Sequence, residues 1–234
     1  MKKQLSVFAL HARAAIGRLA LVLLGMLALD TAAYVLFGLR GFRASLTGSE
    51  LVTALRVIFS LGLVACQLLL AACFGAGSRY GYTLRRLRVS QRELFLWQAA
   101  HNAVCYFLLL AVQTLIVLAL CRVYAAQDPD MVNSQTVFLA FYRVPFLHSL
   151  LPLADGWRYV RNAVLCAALG VCAAAFPVQQ RQGNRGFAAV ILTALTVLFF
   201  VQPVRSGDFW LIGALVVITA VALLNVTEVS HETA

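Results

Sequence analysis

The sequence predicts an all-α polytopic membrane protein, a single transmembrane domain of six helices, and three observations carry that expectation. Of the 234 residues, 62% are hydrophobic and 12% charged, with a mean hydropathy of +0.86; soluble domains carry about 25% charge. A chain this apolar cannot cover its surface with polar groups, so its solvent is lipid. Its apolar residues gather into runs near the roughly 20 residues that a helix needs to cross a bilayer. Its basic residues cluster beside those runs, as topology signals do.

Spans are expected at residues 19–39, 51–74, 94–121, 160–178, 187–203 and 209–226. Before the first, Leu5, Phe8, Ala12, Ile16 and Leu19 fall within about 80° of one another at roughly 100° per residue. Gln4, His11 and Arg18 lie on another side, so a short amphipathic helix along the membrane surface is expected there. Lys2 and Lys3 could open a secretory signal. The first apolar run is too long for one, and His11, Arg13 and Arg18 intervene, so the segment is read as an uncleaved anchor.

With the N-terminus inside, eleven basic residues fall on the inner side and eight on the outer. The densest basic segment shares the N-terminal side, which places both termini in the cytoplasm. Residues 132–153, around "VFLAFYRVPFLHSLLPL", are too apolar for a solvated loop. They also make a poor span, broken by Arg143, Pro145 and His148. An interfacial helix or a re-entrant piece fits better, and a true span would move the C-terminus outside.

The net charge of +10 does not point to nucleic acid, which requires a water-exposed basic face on a folded domain. Beside apolar spans the same charges meet anionic lipids. The six cysteines, Cys66, Cys73, Cys105, Cys121, Cys166 and Cys172, all lie in or at the ends of apolar runs without C-x-x-C spacing. They are read as reduced packing residues. Of the histidines, His11, His148 and His231 fall in expected tails or loops, and none pairs with His101 across spans to hold a metal or haem. No G-x-S-x-G or H-E-x-x-H string occurs. No catalytic, metal or cofactor residue is therefore assigned, and the chain is not expected to be an enzyme.

Five polar residues fall within the spans: Asp30, Arg56, Gln98, Asn102 and Gln113. An isolated charge at bilayer depth costs about 2.5–3.5 kcal/mol on insertion scales. Asp30 and Arg56 are offset by roughly 6 Å along the membrane normal, within reach of an arginine side chain. Two readings follow: an Asp30–Arg56 pair, or Arg56 snorkelling to headgroups while Asp30 is neutral or faces a wet cavity. Gln98, Asn102, Cys105, Tyr106 and Gln113 share an arc of about 100° on the third span. That face should point to protein or to a cavity, either for interhelical hydrogen bonds or to line a substrate path.

The segment between spans two and three reads "RYGYTLRRLRVSQRELFLWQ", residues 79–98. Ser90 and Glu93 form a capping-box signature that starts the third span. Upstream, Leu84 and Leu87 face one way while Arg85, Arg86 and Arg88 project elsewhere, with Gly75, Gly77 and Gly81 allowing the chain to bend. This is a short amphipathic element lying along the membrane. Arginines that only enforce topology would not need such an arrangement.

The pattern "YTLRRLRVSQRELFLWQ" after the second of six spans resembles the ABC-2 type permease family of ABC transporters. Leu84, Leu87, Val89, Ser90 and Arg92 fall at matching positions. Arg88 stands where a proline is common, and the family's Gly-Thr is only echoed by Gly81 and Thr83. The local resemblance covers about thirty residues, and the six-span plan with its elbow-like N-terminal helix covers the rest. It implies a cytoplasmic coupling helix docking on a separate ABC ATPase subunit through Tyr80, Leu84, Arg85, Arg86, Leu87, Arg88, Ser90, Arg92 and Glu93. It also implies a second permease copy or a related chain, and residence in a plasma membrane of the bacterial inner type. ATP and Mg would then sit on the partner, in keeping with the absence of any G-x-x-x-x-G-K-[ST] string in these residues. Two other classes stand beside this one. A substrate-binding membrane subunit of a vitamin-type transporter would not contact the ATPase directly. An integral membrane enzyme would rest on little more than the His101–Cys105 spacing.

Overall fold

The computed structural model describes residues 2–38, 50–74, 90–127, 134–153, 155–181, 187–200, 212–213, 216–217 and 219–220. Its described elements are helical: α1 (Lys2–Ala33), running into a π-helical turn (Tyr34–Gly38), α2 (Glu50–Phe74), α3 (Gln91–Gln127), α4 (Ser134–Arg143), α5 (Pro145–Leu150), α6 (Gly156–Arg181) and α7 (Phe187–Phe199). Among the described residues, four stretches are long and apolar enough to cross a membrane: Phe8–Phe37, Glu50–Phe74, Arg92–Gln127 and Gly156–Gln180. The fifth expected span is represented by the 13 residues of α7. The sixth, 209–226, lies outside the described residues except for helical positions 212–213, 216–217 and 219–220.

The side-chain distribution is inverted relative to a water-soluble bundle. Leu21 is 70% exposed, Leu68 65% and Leu115 64%, whereas Asp30, Asn102 and Gln113 are 0% exposed. Lipid is as apolar as leucine, so nothing drives leucine inward, whereas polar side chains find partners only inside the protein. Isolated hydroxyls are satisfied within their own helices. Thr31 donates to the Leu27 carbonyl (2.7 Å), Thr114 to Leu110 (2.8 Å) and Thr196 to Leu192 (2.8 Å), a bond that suits a hydroxyl without water.

Successive long helices run in opposite directions. Phe8 near the start of α1 meets Trp97 and His101 near the start of α3, with ring centroids 6.1 and 5.6 Å apart. At the opposite end Tyr34 packs edge-on to Tyr124 (4.7 Å) and donates to Gln127 Oε1 (2.8 Å). There Phe59 of α2 also meets Phe200, just after α7, at 5.0 Å.

The most extensive interface joins α3 and α6. It is possible because α6 is lined with small residues: Ala168, Gly170, Cys172, Ala173, Ala174 and Ala175 are all buried. Small side chains let membrane helices approach backbone to backbone. At Gly170 an added Cβ would stand 2.6 Å from the Ala103 nitrogen.

The N-terminal expectation needs correction. No separate surface helix precedes the first span; α1 is one helix of 32 residues, about 48 Å long. Its sequence is rich in alanine and leucine and has no proline to break it. The expected faces are not kept: Ile16 is 64% exposed and Leu19 6%, while His11 is 0% exposed and Arg18 is exposed.

Of the segment 132–153, the described residues 134–153 contain no span. They hold α4 (10 residues) and α5 (6 residues), about 15 and 9 Å long, short of the roughly 30 Å required. Pro145 opens α5, where its fixed φ suits a first helical turn. Phe146, Leu147, Ser149 and Leu150 are buried, whereas α4 turns Phe138 and Tyr142 outward.

Candidate functional site

The arginine-rich segment leaves α2 at Phe74 and returns at Ser90. Tyr80, Leu84, Arg85, Arg86, Leu87 and Arg88 lie outside the described residues. Its return is described: the Glu93 amide donates to Ser90 Oγ (3.2 Å) and the Leu94 amide to the Ser90 carbonyl (3.0 Å). Ser90 is thus the N-cap of α3, satisfying a helix-end amide that would otherwise have no partner. Ser90, Arg92 and Glu93 are exposed.

Beneath these two attachment points, three helix ends are tied by aromatic and imidazole rings. Phe74, the last residue of α2, is 2% exposed and lies 5.3 Å from His11 of α1 and 6.0 Å from His101 of α3. His11 and His101 are 6.0 Å apart. The Arg18 guanidinium donates to Cys73 Sγ at 3.2 Å, and Cys105 Sγ lies 3.9 Å from the His101 ring nitrogens. The Phe74–His101 pair is edge-to-face at 82°, a geometry that adds about 0.5–1.5 kcal/mol beyond burial. Among the described residues no three histidine, cysteine or acidic side chains converge as metal ligands.

His11 was expected in a tail and is instead at the centre of this unit. The signal was present in the sequence. His11, Ala15, Leu19, Met26 and Asp30 repeat at spacings of four, four, seven and four, and all five are buried. The expected stripe followed Ile16 instead and missed this seam. Recognising it as the inward one required giving His11 and Asp30 more weight than Ile16.

The Asp30–Arg56 pair does not form. Leu51, Leu55, Ile58, Phe59 and Gly62 make the buried stripe of α2, and Arg56 beside them points outward. This is the snorkelling arrangement. Asp30 faces Gln113 of α3, yet neither carboxylate oxygen nor either Gln113 amide atom is aligned for a hydrogen bond.

The polar face of α3 turns into the bundle. Gln98 is 6% exposed, Asn102 0%, and Cys105 and Tyr106 2% each. Tyr106 donates its hydroxyl to Gln67 Oε1 of α2, and Asn102 Nδ2 donates to the Gly170 carbonyl of α6 at 3.5 Å. Gln98 Nε2, Asn102 Oδ1 and both Gln113 amide atoms make no aligned hydrogen bond, so this face bonds across helices only in part. The cysteines among these helices are free and buried.

No family model, curated protein or solved structure matches the chain.

Proposed function

We propose that this chain is the membrane-spanning permease subunit of an ATP-driven ABC transporter, coupled to a separate ATPase chain by residues 80–93. The observation that carries this reading is the mounting of that segment. It leaves a helix whose last residue is locked between two histidines, and it re-enters a helix that Ser90 caps. Force applied to the segment would therefore reach α1, α2 and α3 together, as coupling demands. The polytopic character supports the same reading, since four helices among the described residues have the length and apolarity of spans. On this proposal ATP and Mg are bound by the partner, a second permease copy or a related chain completes the path, and both termini face the cytoplasm of a bacterial-type inner membrane.

The test is Leu84→Asp combined with Leu87→Asp in the chain co-expressed with its companions. Membrane insertion should persist, while a P-loop ATPase that co-purifies with the wild type is lost and stimulated ATP hydrolysis falls to background. Wild-type hydrolysis in the double variant, or purification of the wild type without an ATPase in several mild detergents, would refute the proposal.

A further inference from the structure

At the end of the bundle where α6 begins, buried donors outnumber their acceptors. Arg158 is 6% exposed and Arg161 0%, one turn apart. Arg161 has partners: its Nε and Nη2 donate to Asn162 Oδ1 at 3.4 and 3.2 Å, and its guanidinium lies 5.5 Å from the centre of the Phe200 ring. Asn162 Nδ2 in turn donates to the Ser149 carbonyl at 2.8 Å, joining α6 to α5.

Arg158 is held differently. Its Nε stands 3.2 Å from Asp155 Oδ2, a contact not aligned as a hydrogen bond, and its buried Nη1 has no acceptor. His148 Nδ1 on α5 is likewise buried and makes no aligned hydrogen bond, although the Phe141 carbonyl is close enough to act on the ring. Arg158, Arg161 and Asp155 are all close enough to act on the His148 ring electrostatically. A buried guanidinium ordinarily fills its fork with two oxygens of a carboxylate or phosphate. Here one off-axis contact from Asp155, whose side chain is 40% exposed, leaves half the fork empty. The positive end of the α6 dipole adds to the same field.

The surrounding aromatics set the depth. Trp157 is 57% exposed, Tyr159 49% and Tyr142 55%. Outward-facing tryptophan and tyrosine collect at the membrane–water boundary, the layer that holds lipid phosphates.

We propose that Arg158 Nη1 and His148 Nδ1, at the junction of α5 and α6, bind the phosphate group of an anionic lipid headgroup. In the imidazole tautomer with its proton on Nδ1, both atoms are donors, and each meets an oxygen of the phosphate. The site is independent of the transporter reading, because it rests only on the membrane setting and this junction.

The test uses the full chain purified in a neutral detergent, with its melting temperature followed during titration. The probes are phosphatidylglycerol, phosphatidylcholine and inorganic phosphate at constant ionic strength. Phosphatidylglycerol should stabilise the wild type saturably and phosphatidylcholine much less. Arg158→Gln should weaken the apparent affinity at least about tenfold, whereas Arg143→Gln, an exposed change on α4, should not. Saturation by inorganic phosphate at the same residues would assign the site to a soluble phosphate source. If Arg158→Gln fails to fold, Arg158→Lys keeps the charge without the fork and should show a several-fold loss, as should His148→Gln. Wild-type responses in the folded variants to both lipid and phosphate would overturn the site.

Discussion

Replacing Gly170 by alanine tests the central interface of the bundle. The new Cβ would stand 2.6 Å from the Ala103 nitrogen and 2.8 Å from its Cα. Ordinary contact begins at 3.4 Å, and the obstacle is backbone that cannot rotate away. The α3 and α6 axes must therefore part by about 0.8 Å, a gap that forfeits a quarter to a half of the dispersion energy of each facing atom pair. Overpacking of this kind costs about 1–3 kcal/mol. The separation also stretches the Asn102–Gly170 hydrogen bond, already 3.5 Å, whose loss adds about 0.6 kcal/mol. The expected destabilisation is about 2–3 kcal/mol. Gly25→Ala on α1 is the control, because nothing lies within 4 Å of its added Cβ. Relief of glycine's entropy there should stabilise the chain by up to about 1 kcal/mol. Reversible unfolding in mixed detergent–dodecyl sulfate micelles, followed by tryptophan fluorescence, measures both. If Gly170→Ala unfolds with Gly25→Ala, at or above the wild-type midpoint, the close approach of α3 and α6 is wrong.

Gly62→Ala should be milder, below about 1 kcal/mol in the same assay, because its Cβ meets only the flexible Met26 thioether, which can move aside. Arg56→Gln should leave stability within about 0.5 kcal/mol, as expected of a surface change, since Arg56 faces outward and does not pair with Asp30; a loss of several kcal/mol would restore the ion pair. His148 gives a pH test. Burial first, then Arg158 and least of all Arg161, lower its proton affinity below the ordinary value of 6.5, partly opposed by the Phe141 carbonyl and Asp155. The unfolded chain then protonates His148 at a higher pH than the folded chain does. Its contribution to stability is present above 6.5 and declines as pH falls from there toward the lowered folded value. Unfolding midpoints of the wild type should drop over that window relative to His148→Gln, and parallel pH profiles would contradict the burial of this ring.

Composition and run length determined, without any structure, that the chain is helical, with stretches long and apolar enough to cross a membrane. A helical run of about 20 apolar residues satisfies its own backbone and needs no information from elsewhere in the chain. Local chemistry likewise made the Ser90 cap legible, because its partners are three and four residues away. The inward turn of Gln98, Asn102 and Gln113 followed from the same reasoning, since lipid offers these groups nothing. The tertiary structure alone decided which groups meet: Asp30 with Gln113 rather than Arg56, and His11 with His101 and Phe74. A helical wheel gives each side chain a direction about its own axis but not the rotation of that axis against its neighbours. In water the apolar stripe supplies that rotation, but in lipid an apolar residue is equally content on either side, as Ile16 shows. The rotation was set instead by the few buried polar residues and by glycines such as Gly170 that let two backbones touch.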